Sequence, residues 1–501
     1  MKRARQTLLC AALLAALLLL GGCAEGPQER ALVDLSQAAI DAGAQAPAED
    51  GWEDTTALAT LYFLNAAGER LIPVTREVQV SGGQTLAQAA LAALLAGPQE
   101  GEDASWPELG NVQAEAWTEF SGEVATVNLP GRARALTPQM LYAVRLAIAG
   151  TLTEFPGVSY VNVLVGGREE GLDLGATLPT GTLSRVQDMD VSAQYRRLIE
   201  LGQDGGFTRL TTLFFPTKDG EHVLASVRSV AYASTSSIDG MYTLLTELGK
   251  PDSWAKDGMP APMDYIVEMP EIVRTEESAS RAIELRFSAA LGEALKAAGL
   301  SRDIYLAMLA DTLMGFIPGV EGLLVTIGEE RVTALDGEEP FAQGLATRGD
   351  FARFTGSPVT LYAPGEQEGK LIAVRCALAQ KAQRSPRERL YGLLAQEGEL
   401  RALPEGIRET DVLAVRVEGD RVLLNLSGAF ADALATMTPE RERMAVYAIV
   451  NTLTEDGDVR SVTFFFDGEQ VATLAGGLEM RGSFVRNPGM VVDQDGSVGA
   501  L

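Results

Sequence analysis

The sequence predicts an α+β protein made of three tandem copies of one ββ-α-ββ-α-β module, each a sheet with two helices packed on it. Three observations predict this. A short apolar, β-rich segment occurs three times, as Thr60-Leu61-Tyr62-Phe63, Thr212-Leu213-Phe214-Phe215 and Thr360-Leu361-Tyr362-Ala363. The starts lie roughly 150 residues apart, too far for a solenoid unit and about the size of a whole domain. The chain of 501 residues, 46% of them hydrophobic, has room for about three domains with their own cores.

Each element can be read in turn. The opening strands Ala59–Leu64, Thr211–Phe215 and Val359–Tyr362 are followed by turn residues and by returning strands Leu71–Val80, Val223–Val230 and Leu371–Leu378. Two β-rich runs around a polar turn signal a hairpin. Helices follow at Gln84–Ala96, Ser237–Leu248 and Pro386–Gln396, each marked by a Leu-Leu pair (Leu94-Leu95, Leu244-Leu245, Leu393-Leu394) and ended near Gly. A second hairpin is expected at Asn111–Thr118 with Val124–Leu129, at Tyr265–Met269 with Ala282–Phe287, and at Val412–Val417 with Arg421–Leu426. The second helices are Pro138–Glu154, Arg302–Phe316 and Pro439–Glu455. Thr137 and Thr438 cap two of them ahead of a first-turn proline. These helices align on Thr151, Thr312 and Thr452, with an apolar face three, four and seven residues back that suits packing on a sheet. Closing strands Val158–Val165, Val320–Ile327 and Val459–Phe466 precede short tails that carry Arg185, Arg353 and Arg486. Each arginine either pins its tail to its own domain or bridges to another. The domain bounds are set at residues 55–186, 207–335 and 354–490.

Lys2, Arg3 and Arg5 followed by an apolar run from Leu8 to Leu20 make residues 1–22 a secretory signal peptide, short for a membrane span. The ending Leu20-Gly21-Gly22-Cys23 resembles the lipobox of bacterial lipoproteins. That resemblance implies cleavage before Cys23 and a diacylglycerol on its thiol, which anchors the chain at the outer face of the bacterial cytoplasmic membrane. Residues 23–54 read as the lipidated cysteine and a flexible tether, with a short helix around Ala31–Ile40 allowed. Of the three cysteines, Cys376 alone then remains in the mature body, in an apolar strand where a small buried hydrophobe is expected.

Copy one's Thr60-Leu61-Tyr62-Phe63, Leu94-Leu95-Ala96-Gly97-Pro98, Val127-Asn128-Leu129 and Thr151-Leu152-Thr153-Glu154-Phe155-Pro156-Gly157-Val158 resemble the GerMN domain of spore-germination and sporulation lipoproteins. Copy three is similar at Leu424-Asn425-Leu426-Ser427 and Asn451-Thr452-Leu453-Thr454-Glu455. Copy two diverges, with Arg286-Phe287-Ser288 and Thr312-Leu313-Met314-Gly315. The resemblance implies an extracytoplasmic lipoprotein, a role in sporulation or germination, and a fold similar to ring-building motifs.

No catalytic constellation emerges. The one histidine, His222, sits by the turn Asp219-Gly220-Glu221, where a solvated side chain is expected. One histidine and one available cysteine disfavour zinc or copper. The carboxylate groups at Glu100–Asp103, Glu276-Glu277 and Asp336–Glu339 fall in loops and read as solvated surface. Glu154 and Glu455 close helices and read as structural. A net charge of −27 with no basic stripe disfavours nucleic acid. The expectation is a non-enzymatic, lipid-anchored scaffold or interaction protein with an envelope protein as partner, no cofactor and no metal. The alternatives are a ligand-binding lipoprotein of an envelope transport system and, with less support, an accessory to cell-wall hydrolysis.

Overall fold

The computed structural model describes residues 45–109, 117–173, 177–203, 205–275, 280–380, 385–455 and 459–492. The signal peptide, Cys23 and the helix expected at 31–40 lie outside the described residues, as do Glu276-Glu277 and residues 111–116 of one expected strand.

The chain enters through β1 (Gly51–Trp52). In the first third, β2 (Thr55–Leu64) and β3 (Leu71–Val80) form an antiparallel hairpin, and α1 (Leu86–Leu95) follows. β4 (Trp117–Ser121) and β5 (Val124–Leu129) pair antiparallel, α2 (Pro138–Leu152) crosses over, and β6 (Tyr160–Val165) returns parallel to β5. Parallel neighbours need such a helical crossover. β7 (Leu183–Ser184) closes that sheet, and α3 (Val191–Gln203) leads onward.

The middle third has the hairpin β8 (Phe207–Pro216) and β9 (Val223–Tyr232), then α4 (Ser237–Glu247). Its second sheet runs β10 (Glu271–Arg274), β11 (Arg281–Phe287), β12 (Gly322–Ile327) and β13 (Glu330–Arg331), with α5 (Ala290–Ala297) and α6 (Arg302–Met314) between β11 and β12. A short helix α7 (Arg348–Phe351) leads to the last third. There β14 (Gly356–Pro364) pairs with β15 (Leu371–Ala379), and α8 (Pro386–Leu394) follows. β16 (Val412–Glu418), β17 (Arg421–Leu426), α9 (Gly428–Ala435), α10 (Pro439–Leu453), β18 (Ser461–Phe466) and β19 (Ser483–Val485) complete the second sheet and its helices. β20 (Val491–Val492) adds parallel to β15.

The structure corrects the expected module in four respects. Each third holds two sheets, not one. The reason lies in the opening hairpin, which is buried on both faces. Leu61 and Phe63 face the core of the first third, whereas Tyr62 and Leu64 belong to a cluster shared with Phe214, Met241 and Tyr305 of the middle third. Alternate residues of a strand point to opposite faces, so an apolar run such as Leu61–Leu64 serves two cores. Second, α5 and α9 are additional helices. Third, the edge strand of the middle third lies at Glu271–Arg274 rather than Tyr265–Met269; the three tails also differ in form, the middle one helical around Phe351 and the others strands at Leu183-Ser184 and Ser483–Val485. Fourth, residues 45–54 are not a free tether. β1 runs parallel to β16, placing Gly51 beside Arg416 and Trp52 beside Val417. Among the described residues no helix is long and apolar enough to cross a membrane.

Candidate functional site

A two-stranded hairpin leaves outward N–H groups that burial would strand without a partner. The second long helix supplies that partner in every third. The Tyr62 N–H donates to Thr151 Oγ1 at 3.0 Å, Phe214 to Thr312 at 3.0 Å and Tyr362 to Thr452 at 3.1 Å. All three threonines are 0% exposed. Helix and hairpin approach closely here: a Cβ on Gly150 would stand 2.9 Å from Tyr62 Cγ.

In the first and last thirds this junction continues into a polar cluster. Tyr62 Oη donates to Glu154 at 2.7 Å, and Arg185 reaches the same carboxylate at 3.0 Å. Tyr362 Oη donates to Glu455 at 2.7 Å, and Arg486 contacts both. Burial and the Glu154 carboxylate push the Tyr62 phenol up to about 12. Arg185 and Arg486 thus pin their tails to their own third, and Arg353 does the same through Glu338.

The middle third has Phe214 and Gly315 where the others have Tyr and Glu. Arg348 fills that space, its guanidinium 5.5 Å from the Phe214 ring centre. It pairs with Asp311 on α6 at 3.3 Å and with Glu119 on β4 at 3.1 Å. Thr355, at the entry to the last third, donates to Asp311 at 3.0 Å. One buried cation therefore holds carboxylates from two thirds, and one of those carboxylates accepts from the third. Burial raises Asp311 to about 6, against the pull of Arg348 and with a further push from Glu119. Burial alone would lower Arg348, but the two carboxylates raise it above its ordinary value.

Beside this clasp lies a cleft of about 590 Å³ lined by residues of all three thirds. Glu123 and Tyr160 come from the first, Lys218 and Trp254 from the second, Arg375 and Cys376 from the last. Cys376 is half-buried as its strand pattern suggests, and burial pushes its thiol up to about 12. Its contact is the Val359 carbonyl at 3.8 Å, so no base activates it there. His222 is half-buried and not solvated; burial lowers its pKa and its Nδ1 has no hydrogen-bond partner. Among the described residues no group of three or more His, Cys, Asp or Glu could hold a metal ion. The cleft offers two cations, two carboxylates (Glu123 and Asp219) and an indole, which suits binding.

Sequence reading placed the three threonines, Glu154, Glu455 and the tail arginines. It missed Glu119, Asp311, Arg348 and Gln380, whose amide bonds the Phe120 backbone of β4. A signal was present for one of them: Asp311 is a carboxylate inside the otherwise apolar stretch from Ile304 to Met314, one residue before the aligned threonine.

Two segments, 60–171 and 360–472, match the family described as Germane, sporulation and spore germination. Among solved structures, the tandem GerMN domains of the sporulation protein GerM from Bacillus subtilis are similar at 14% identity, over 58% of this chain and 98% of that one, with a TM-score of 0.23. A protein of Clostridium perfringens described as a candidate lipoprotein is similar at 18% identity, over 26% of this chain and 87% of that one, with a TM-score of 0.18. No curated protein sequence matches significantly. Over the two matched segments, the chain is similar to the Germane family.

Proposed function

We propose that this chain is a non-enzymatic scaffold of sporulation or spore germination, anchored by a diacylglycerol on Cys23 at the outer face of the cytoplasmic membrane. In this reading residues 1–22 are the signal peptide, and the middle third is a diverged third copy of the domain found in the two matched segments. Its hairpin, its helix threonine and its second sheet occupy the same order as theirs, which supports the assignment of 55–186, 207–335 and 354–490 as three domains. The observation that carries the scaffold reading is the use made of the charged groups. Arg348, Glu119 and Asp311 lock the thirds to one another and are not gathered around a reactive group. A multidomain body of fixed shape presents several surfaces at once to partners.

Metabolic labelling with an alkyne fatty acid tests the anchor. The wild-type chain should carry the label and Cys23→Ala should lose it; equal labelling of both would remove the anchor from the account. Deleting the gene should impair sporulation or germination while leaving vegetative growth intact. The cleft at the three-way junction favours a second reading, a ligand-binding lipoprotein of an envelope transport system. A ligand that raises the melting temperature of the chain, and fails to do so in Trp254→Ala, would support it.

A further inference from the structure

The second sheets can be compared position by position. β5, β11 and β17 end at Leu129, Phe287 and Leu426. Four residues earlier stand Ala125, Ile283 and Val422, whose antiparallel neighbours on the edge strand are Phe120, Ile272 and Val417. These three positions are equivalent, and two of them are covered from within this same protein, one by a side-chain amide and one by extended chain. The Phe120 N–H donates to Gln380 Oε1 at 3.1 Å, and its carbonyl accepts from Gln380 Nε2 at 3.0 Å. Trp52 lies parallel beside Val417, whose carbonyl accepts the Glu53 N–H at 3.1 Å. The third position, Ile272, is on β10, which among the described residues pairs with β11 alone. By the Phe120 pattern, the N–H and C=O of Ile272 both face outward.

The surroundings of this edge differ from those of β16 in a way that describes its occupant. In the last third the incoming segment is held by Asp50, whose carboxylate pairs with Arg387 at 2.6 Å and accepts the Val415 N–H at 2.9 Å. Arg387 and Tyr391 stand six and two residues before Leu393. The same offsets from Leu244 give Ile238 and Tyr242, which are 48% and 47% exposed. Val267 and Met269, just ahead of β10, are 59% and 57% exposed. Four of the eight large apolar side chains that stand exposed among the described residues are therefore here. Helix α4 packs on the turn Pro262–Asp264 that leads into this stretch. Where Gly51 faces Arg416, an occupant of β10 would face Glu271.

We propose that β10 is a docking edge for an extended segment of a partner protein, added parallel by main-chain hydrogen bonds. Its sequence is apolar where Asp50 sits, basic opposite Glu271, and aromatic or aliphatic where Trp52 sits. The proposal rests on the interaction-protein reading and names its surface; partners captured elsewhere on the molecule would leave that reading standing while this one failed.

The test is hydrogen exchange of the full chain with a synthetic peptide of residues 45–54 carrying Asp50→Leu and Gly51→Lys. At a peptide concentration equal to its Kd, half occupancy slows exchange about twofold, so at about 1 mM peptide, enough for a weak ligand, residues 266–274 should slow by at least that factor. Ile272→Pro removes an outward N–H from an edge strand, where proline is tolerated, and should abolish the effect. The double variant Val267→Lys with Met269→Lys should weaken it and gives the same test if the proline variant does not fold. The unaltered 45–54 peptide should bind β10 less well. No slowing at 266–274, or slowing that survives both variants, overturns the proposal. Protection of β10 without peptide that depends on chain concentration would assign the edge to a second copy. Protection lost on deleting residues 1–44 would assign it to this chain's own leader. Either result also overturns it.

Discussion

Replacing Arg348 by leucine removes a guanidinium that joins the first and middle thirds and holds Asp311, the carboxylate to which Thr355 of the last third donates. Glu119 and Asp311 would then share a buried site with no counterion. Breaking a buried ion pair from one side costs about 3–5 kcal/mol, because the abandoned charge stays desolvated. The lost contact over Phe214 adds about 0.5–2 kcal/mol. Asp311 already holds its proton up to about 6 and can stay neutral without Arg348, which places the expected total near the lower end, about 3–4 kcal/mol. A chain of several domains need not unfold in one step, so the assay is urea unfolding combined with hydrogen exchange at residues 117–121 and 355–357. Both segments should open more readily in Arg348→Leu than in wild type, and together. The cost should shrink as pH falls below about 6, where Asp311 takes up its proton. Adding Glu119→Gln and Asp311→Asn should recover most of the loss, since a fully neutral, packed replacement of a buried ion cluster is often near neutral. A loss under about 1 kcal/mol at pH 7, the size of a surface pair, would refute the idea that this cluster holds the thirds together.

Other outcomes follow from the same geometry. Thr151→Val, Thr312→Val and Thr452→Val each strand one buried N–H and should each cost about 1–3 kcal/mol, measured by urea unfolding; unequal penalties would show that the three junctions are not equivalent. The folded Asp311 carboxyl keeps its proton up to about 6, against 3.8 for its ordinary value. The native state therefore binds more protons between those values, and this group's contribution is full below the lower one and lost as pH rises through the upper one. At about 1.4 kcal/mol per pH unit the decline is roughly 3 kcal/mol, and it should be absent in Asp311→Asn when the two stability–pH profiles are subtracted. Cys376, with its thiol pushed up to about 12, should react with iodoacetamide far more slowly at pH 8 than a free thiol, although it lines a cleft; fast labelling would contradict the burial. Asp50→Ala should release β1 and raise hydrogen exchange at residues 415–417 without changing exchange in β8 and β9.

Much of the architecture was legible because it is local. Turn residues, the Leu-Leu pairs and the prolines behind Thr137 and Thr438 mark hairpins and helices whatever the tertiary context. The aligned threonines also stood out, since each breaks an apolar face at the same place. What could not be read depended on distant chain. Nothing local distinguishes Tyr62 facing one core from Phe63 facing another, so the two-sheet arrangement was hidden. Asp50 and Gly51 have the composition of a linker, and only Arg387 and the open side of β16, more than 300 residues away, turn them into a strand. Gly315 signalled that the Glu of the other thirds was missing, but the replacement, Arg348, comes from just ahead of the middle tail, and nothing local shows that it reaches Phe214. The solvated reading of His222 failed for the same reason, since the last third packs over it.

The central claim, a scaffold fixed at the membrane, is tested most directly by crosslinking the tagged chain in living cells and identifying the captured peptides by mass spectrometry. Vegetative and sporulating cells would be compared, and wild type with Cys23→Ala. The account predicts a small set of envelope proteins crosslinked to defined surfaces of the three thirds during sporulation, lost without Cys23. The same abundant bystanders in every condition, with no dependence on Cys23, would contradict it.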